Sequence, residues 1–307
     1  MTQQMIFKDA SISSFISSSG EQRRRERFLS RNFRLDHDRN RITSMEGEYK
    51  VTLVVYSGVP DPVWSVHPRH GKFKEMKHLL DDARTKGVAY RHQNLPAILG
   101  YKGFLVYEPG AEHAELMLGR ETTALQKLLL STMPEGLINN DLHHRIQQAI
   151  DSGAISPNLN VPSSHAPSTG DVKKDVDVIE HYAPKYNPER WNKYDLIRTY
   201  NNCYNYANQK ITNSFAQPGY ASGNPITDIT PAEATKACES DGLVKMDVDP
   251  SAPVPEAPPQ PNCLIALMVQ EGVDFHCYRL DQGGLWSQKP GQTAVTNKDG
   301  KGNKITD

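Results

Sequence analysis

The sequence contains few cysteines, no excess of charge of either sign and no long apolar run. Four Cys in 307 residues exclude a disulfide scaffold and leave both a reducing and an oxidising compartment open. The 35 Lys and Arg residues balance 36 Asp and Glu residues, which argues against a strongly basic nucleic-acid-binding protein. No segment approaches the roughly 20 apolar residues that a membrane-spanning helix needs, and the N-terminus lacks the apolar stretch of a secretory signal. We therefore expect a cytoplasmic protein by default, with no membrane and no nucleic-acid partner.

Three stretches are predicted to lie outside the folded domains. Residues 1–46 predict a disordered or partly helical leader, with eight arginines between positions 21 and 41. Residues 153–170 predict a linker, because positions 156–169 contain three prolines and no charged side chain. A proline-rich insert is predicted at 249–262, where an extended polyproline conformation on the surface is favoured.

Residues 47–152 predict a small α+β domain. Apolar and β-branched runs predict strands at 49–56, 63–66, 101–107 and 115–118. Apolar residues at helical spacing predict helices at 72–86, 122–132 and 142–151. We expect Asp141 to cap the last helix and Gly153 to end it.

A second α+β domain is predicted at 171–307, and it contains the one arrangement that suggests covalent chemistry. Asn201 and Asn202 precede a predicted helix that runs to about residue 212, and asparagine is among the best N-capping residues. Cys203 then lies in the first turn, where unpaired N–H groups lower the pKa of a thiol. The sequence therefore predicts Cys203 as a nucleophile.

A general base for this nucleophile is predicted on a later strand. Residues 274–279 alternate as a strand that places His276 on a polar face and Cys277 on the opposite one. Gln288, on the next strand, is predicted to hydrogen-bond the imidazole and fix its tautomer. A helix-borne Cys followed by a strand-borne His and a polar orienting residue is the order found in papain-like cysteine enzymes. We therefore predict a papain-like fold for this domain, with an antiparallel sheet carrying His276.

Neighbours of these three catalytic candidates are predicted to bind the substrate. They are Asn202, Tyr204, Asp274 and Trp286. No cysteine spacing matches a structural zinc site and no phosphate-binding glycine loop is present, so we expect no metal and no cofactor. A structural interpretation stays open, because a buried Cys and a hydrogen-bonded strand His are each common without catalysis.

Several further motifs stand out in the sequence, at 186–192, 201–207, 212–219, 241–243, 274–279 and 284–297, and in the first domain at 56–64 and 99–104. These motifs resemble a family of largely uncharacterised proteins that includes the insoluble matrix shell proteins of bivalve molluscs and many bacterial homologues. This chain has Gln288 where many members have a second His, and Cys277 where an aromatic residue is expected. The resemblance implies secretion and extracellular matrix partners.

Two functions follow from these observations. The first is a papain-like cysteine hydrolase or amidase that acts on a peptide or amide bond through Cys203, His276 and Gln288. The second is a non-catalytic structural or binding protein, as the resemblance to shell matrix proteins implies.

Overall fold

The computed structural model describes residues 47–159, 183–246 and 263–306. The predicted leader, the predicted linker from residue 160 onward and the predicted proline-rich insert lie outside the described residues. The described chain forms two compact units. One contains residues 60–159 and the strand that ends before residue 57, and the other contains the described residues from 183 onward together with Ser57–Val59.

The N-terminal unit is built around a five-stranded antiparallel sheet in the order β2-β1-β4-β5-β3. Its central strands are buried because their residues are almost all apolar, as at Leu53, Phe104 and Leu116. The strands are β1 (Tyr49–Val54), β2 (Val63–Val66), β3 (Tyr90–Arg91), β4 (Gly103–Tyr107) and β5 (Glu115–Met117).

Three helices of this unit bury one apolar stripe each. They are α1 (Phe73–Thr85), α2 (Thr123–Leu130) and α3 (Asn140–Ser152). In α3 the stripe consists of Leu142, Ile146 and Ile150, which recur every four residues. The predicted cap of this helix was wrong: Asn139, not Asp141, accepts the hydrogen bond of the Leu142 N–H at 2.8 Å. Gly153 ends α3 in the left-handed conformation, with φ at 57°.

The C-terminal unit packs four short helices and a three-stranded antiparallel sheet, in the order β6-β7-β8. The helices are α4 (Pro188–Asn192), α5 (Asp195–Tyr200), α6 (Cys203–Ala207) and α7 (Pro231–Ser240). The strands are β6 (Ile265–Gln270), β7 (Asp274–Leu280) and β8 (Trp286–Gln288).

Apolar residues cover the central strand β7 of this unit on both sides. Phe275 and Cys277 belong to a cluster that also contains Cys203 of α6 and Leu267 of β6. Leu280 lies on the opposite face of β7 and packs in a second cluster with Trp286. Helices and antiparallel sheets in both units confirm the predicted α+β class. Among the described residues no helix combines the length and the apolar character that crossing a membrane requires.

Candidate functional site

Cys203 is the first residue of α6, and the asparagine before it caps the helix as predicted. The Asn202 side chain accepts the Asn205 N–H at 3.1 Å, while the Asn205 side chain accepts the Asn202 N–H at 3.1 Å. This reciprocal arrangement satisfies two backbone donors at the start of the helix. The helix is shorter than predicted, since it ends at Ala207 instead of near residue 212. The chain turns away there, and Gln209 adopts a left-handed conformation with φ at 58°.

The amide of Asn202 is used entirely inside the C-terminal unit. Its nitrogen donates to the carbonyl oxygens of Gly58 and Ala216, each at 2.8 Å. Because its oxygen already caps α6, no polar atom of this buried side chain is left for a substrate. The predicted binding residue is therefore placed beside Cys203 but acts within the fold.

The environment of Cys203 favours the thiolate. Burial raises the pKa of this thiol, but three groups outweigh it: the Cys277 thiol, which donates a hydrogen bond, the nearby His276 imidazole, and the Cys277 backbone N–H. The net effect lowers the pKa of Cys203 to about 5. The pKa of the Cys277 thiol shifts in the opposite direction, because its hydrogen bond to the Cys203 sulfur, together with burial, raises it. Both shifts favour a negative charge on Cys203 over one on Cys277.

His276 lies in β7, close enough to the Cys203 sulfur to lower the pKa of that thiol. Its side chain is only 4% exposed, and neither ring nitrogen makes a hydrogen bond of normal geometry to the described residues. The ring instead meets Tyr278 edge to face, with 4.6 Å between the ring centroids. The structure thus brings the two main catalytic candidates together, but among the described residues no third side chain hydrogen-bonds the imidazole.

Gln288 does not supply that partner in this structure. Its side-chain nitrogen donates to the Lys298 carbonyl at 3.0 Å, and its side-chain oxygen is buried without a hydrogen bond among the described residues. The register of the sheet explains this, since Gln288 pairs with Tyr278 and not with His276. Its predicted hydrogen bond to the imidazole is absent here.

The two remaining aromatic candidates also lie in the core of the unit. The Tyr204 hydroxyl donates to the Asp241 carboxylate at 2.8 Å, and this carboxylate also accepts the Gly219 N–H at 2.7 Å. Trp286 is 5% exposed and packs against Leu280, with its ring N–H lacking a partner among the described residues.

Asp274 binds a turn that the sequence had suggested belonged to the first domain. Its carboxylate accepts the backbone N–H groups of Ser57 at 2.6 Å, Gly58 at 3.0 Å and Val59 at 3.1 Å. Burial nevertheless raises the pKa of Asp274 to about 6, with the negative charge of Cys203 adding to the increase and the three N–H donors opposing it. Asp274 therefore lies close to Cys203, but its carboxylate binds backbone of the same unit instead of a substrate.

Lys289 is a residue of this site that the sequence analysis missed. Its fully buried ammonium donates to the carbonyl oxygens of Asn201 at 2.5 Å and Gly291 at 2.7 Å, and also to that of Arg198. Burial lowers the pKa of Lys289 well below its usual value, and the charge of Arg198 adds to this. Two of these contacts, to Arg198 and Asn201, hold the backbone that leads into Cys203. A buried lysine after a strand gives no signal in the sequence, because lysine is usually exposed.

The chemical capacity of the site is a thiolate next to an imidazole in a closed core. The Cys203 side chain is 0% exposed, so this conformation offers the sulfur no contact with solvent. No group of three or more metal-ligating side chains is present in the part of the chain that the structure describes.

Comparison with known proteins identifies a relative in molluscs. The chain is 45% identical to insoluble matrix shell protein 1 of Ruditapes philippinarum over 123 residues, which cover 40% of this chain and 77% of that protein. The chain belongs to the family of insoluble matrix shell protein 1. The family resemblance expected from the sequence is thereby confirmed. No family model and no solved structure matches the chain.

Proposed function

We propose that the chain is a non-catalytic structural or binding protein related to the shell matrix proteins. The observation that carries this proposal is the closure of the candidate site: Cys203 is 0% exposed and His276 is 4% exposed. A thiol hydrolase needs its sulfur to be accessible to a substrate as large as a peptide, and this conformation gives a peptide no such access. The name of the relative, a protein of an insoluble shell matrix, supports the same class of function.

The polar groups around Cys203 support a structural role as well. Asn202, Tyr204 and Lys289 direct their polar atoms to partners inside the unit. Buried networks that are satisfied in this way make the packing of a core more specific. In this function they would maintain a rigid module that presents its surface to a matrix.

A surface suited to such contacts lies on α5. Leu196 and Tyr200 are 52% and 37% exposed, and they share one face of the helix because they are four residues apart. Tyr194, just before the helix, is 48% exposed. We call Tyr194, Leu196 and Tyr200 the α5 patch, and propose that it contacts the matrix.

Co-sedimentation with the insoluble matrix fraction of bivalve shell tests this function. We expect the purified chain to sediment with the matrix and the double variant Leu196→Ser, Tyr200→Ser to stay in the supernatant. The matched control, Leu99→Ser with Leu137→Ser, also removes two exposed apolar residues, which are 44% and 37% exposed, and should sediment like the unchanged chain. Equal recovery of all three proteins in the supernatant would refute the proposal.

The second candidate is a thiol hydrolase that acts on a peptide or amide bond. It is favoured by the depressed pKa of Cys203, about 5, together with the neighbouring imidazole. In this mechanism the Cys203 sulfur attacks the carbonyl carbon, and the C–N bond breaks as His276 transfers a proton to the leaving amine. Water then cleaves the resulting thioester and regenerates the thiol, while Gln288 orients the ring after a rearrangement of β8. Backbone N–H groups at the start of α6 would stabilise the oxyanion. The closed site would have to open for substrate to enter.

Iodoacetamide labelling between pH 5 and pH 9 separates the two functions. A hydrolase with an opening site should label at Cys203 in the native state well below the usual thiol pKa of about 8.5, and His276→Ala should raise the midpoint. A structural Cys203 should label only under denaturing conditions, at every pH. Peptide digestion and mass spectrometry identify the labelled residue in each case.

A further inference from the structure

All four cysteines of the chain carry reduced thiols and lie in one apolar cluster of the C-terminal unit. They come from separate elements or segments: Cys203 from α6, Cys238 from α7, Cys263 from the residues just before β6, and Cys277 from β7. Free cysteine is among the residue types most often buried and packs as a small hydrophobe, so burial alone assigns a role to none of the four.

Contacts distinguish one pair among the four. The thiol of Cys277 is hydrogen-bonded to the sulfur of Cys203. Cys238 instead interacts with the Tyr204 hydroxyl, and the Cys263 sulfur lies 3.6 Å from the Ala207 carbonyl oxygen. Only a pair of sulfurs already in contact can join without a large movement of the backbone.

We propose that Cys203 and Cys277 form an oxidisable dithiol, in which a small hydroperoxide converts the two thiols into a disulfide between α6 and β7. The two residues have different roles in this reaction. Cys203 is the attacking residue, since its sulfur accepts the hydrogen bond of the Cys277 thiol and lies beside the His276 imidazole, and Cys277 is the resolving residue. The inference does not depend on whether the site also hydrolyses a substrate.

The first step is attack of the Cys203 thiolate on the hydroperoxide. An S–O bond forms with the sulfur electron pair, the O–O bond breaks, and the leaving oxygen takes up a proton and departs as water or an alcohol. Cys203 becomes a sulfenic acid, which is neutral. A small oxidant is required because both sulfurs are buried.

The second step is attack of Cys277 on the sulfenic sulfur. An S–S bond forms, the S–O bond breaks, and the hydroxide that leaves combines with the proton of the Cys277 thiol to give water. The structure prepares this step, because the Cys277 thiol is already in hydrogen-bond contact with the Cys203 sulfur that it attacks. Overall, two thiols are oxidised and one hydroperoxide is reduced.

Peroxide treatment of the folded full-length chain, followed by denaturation, alkylation and mass spectrometry without reduction, tests the proposal. We expect the loss of two titratable thiols per chain and a cross-linked peptide pair that contains Cys203 and Cys277. Dithiothreitol should restore both thiols. Retention of all four thiols at a peroxide dose that oxidises the denatured chain would overturn the proposal, as would a main cross-link through Cys238 or Cys263.

Single variants assign the two roles. Cys277→Ser should accumulate a sulfenic acid at Cys203 that dimedone traps, whereas Cys203→Ser should give neither the adduct nor the disulfide. Cys263→Ser removes a buried thiol from the same cluster and should leave the cross-link intact. If a variant does not fold, the peptide map of the unchanged chain still decides, because it identifies the partners directly.

Discussion

The backbone N–H of Gly58 donates to the carboxylate of Asp274 at 3.0 Å, across 216 residues of sequence. The carbonyl oxygen of the same glycine accepts hydrogen bonds from Asn202 at 2.8 Å and from Gln217 at 2.7 Å. One residue outside the continuous C-terminal segment thus joins the start of β7 to the residue that precedes Cys203. The site of the C-terminal unit is therefore completed by a turn near the beginning of the described chain.

Replacing Gly58 by alanine is expected to disrupt this contact. A Cβ atom at this position would lie 2.5 Å from the Phe275 carbonyl oxygen and 2.6 Å from its ring, so the backbone of β7 would have to move. We expect a loss in the free energy of unfolding of about 3 kcal/mol, the upper end for overpacking a core. Urea denaturation measures it. The control is Gly71→Ala, where a Cβ atom meets nothing within 4 Å; equal stability of the two variants would contradict the prediction.

Asn202→Ala is expected to cost more than the loss of an ordinary helix cap. Removal of a capping side chain costs about 1 kcal/mol, and each of the two lost hydrogen bonds adds about 0.5–1.5 kcal/mol, since Gln217 still donates to both carbonyls. Asn202 has both functions, since it caps α6 and donates to Gly58 and Ala216. The matched control is Asn139→Ala, because this exposed side chain caps α3. Chemical denaturation should show a clearly larger loss for Asn202→Ala, and a difference below the error would argue against the buried network.

Local patterns in the sequence predicted the helices and strands better than the contacts between distant segments. The spacing of Leu142, Ile146 and Ile150 determines a helix because it reflects only the helical repeat. Asn202 likewise marks the start of α6, because capping is a local interaction. The contact between Ser57 and Asp274 spans 217 residues and uses backbone N–H groups, so no side-chain pattern reveals it.

Besides long-range contacts, the sequence did not reveal how deeply the candidate residues are buried. The alternation of β7 places His276 on the face that also carries Tyr278 and Leu280, but the imidazole is buried instead of open to solvent. Whether an imidazole is accessible depends on what packs over it, which is a tertiary property. The missing bond between Gln288 and His276 has a similar origin, since the register of β8 against β7 is set by turns and packing.

Lys289→Met should destabilise the C-terminal unit although it removes a buried charge. The carbonyl oxygens of Asn201 and Gly291 lose a charged donor, and hydrogen bonds to charged groups contribute about 1.5–3 kcal/mol each. The cost of burying the ammonium offsets part of this, so we expect a net loss of about 2 kcal/mol in the free energy of unfolding. Lys298→Met is the control, because that residue is exposed and such substitutions usually change stability by less than about 0.5 kcal/mol. Thermal and urea unfolding measure both variants, and a Lys289→Met protein as stable as the control would show that the three carbonyl contacts contribute nothing.

The stability of the folded protein should depend on pH through the carboxyl group of Asp274. Burial, with the charge of Cys203 adding, raises the pKa of its carboxyl group to about 6 in the folded protein, against about 3.9 in an unfolded chain. The folded state therefore binds this proton more tightly, and the contribution of Asp274 to stability is fully present below about pH 4 and is lost as the pH rises through 6. At about 1.4 kcal/mol per pKa unit, the change is roughly 2–3 kcal/mol.

Unfolding of the unchanged chain and of Asp274→Asn at several pH values between 4 and 7 isolates this effect. The difference in the free energy of unfolding between the two proteins should vary with pH by roughly 2–3 kcal/mol, because all other titrating groups are shared. Asp299→Asn provides a contrast of opposite sign: the Asn303 backbone N–H, foremost among its donors, lowers the pKa of Asp299, so its contribution is lost as the pH falls. If the difference for Asp274→Asn is constant across this range, Asp274 is ionised throughout and its three N–H donors outweigh its burial.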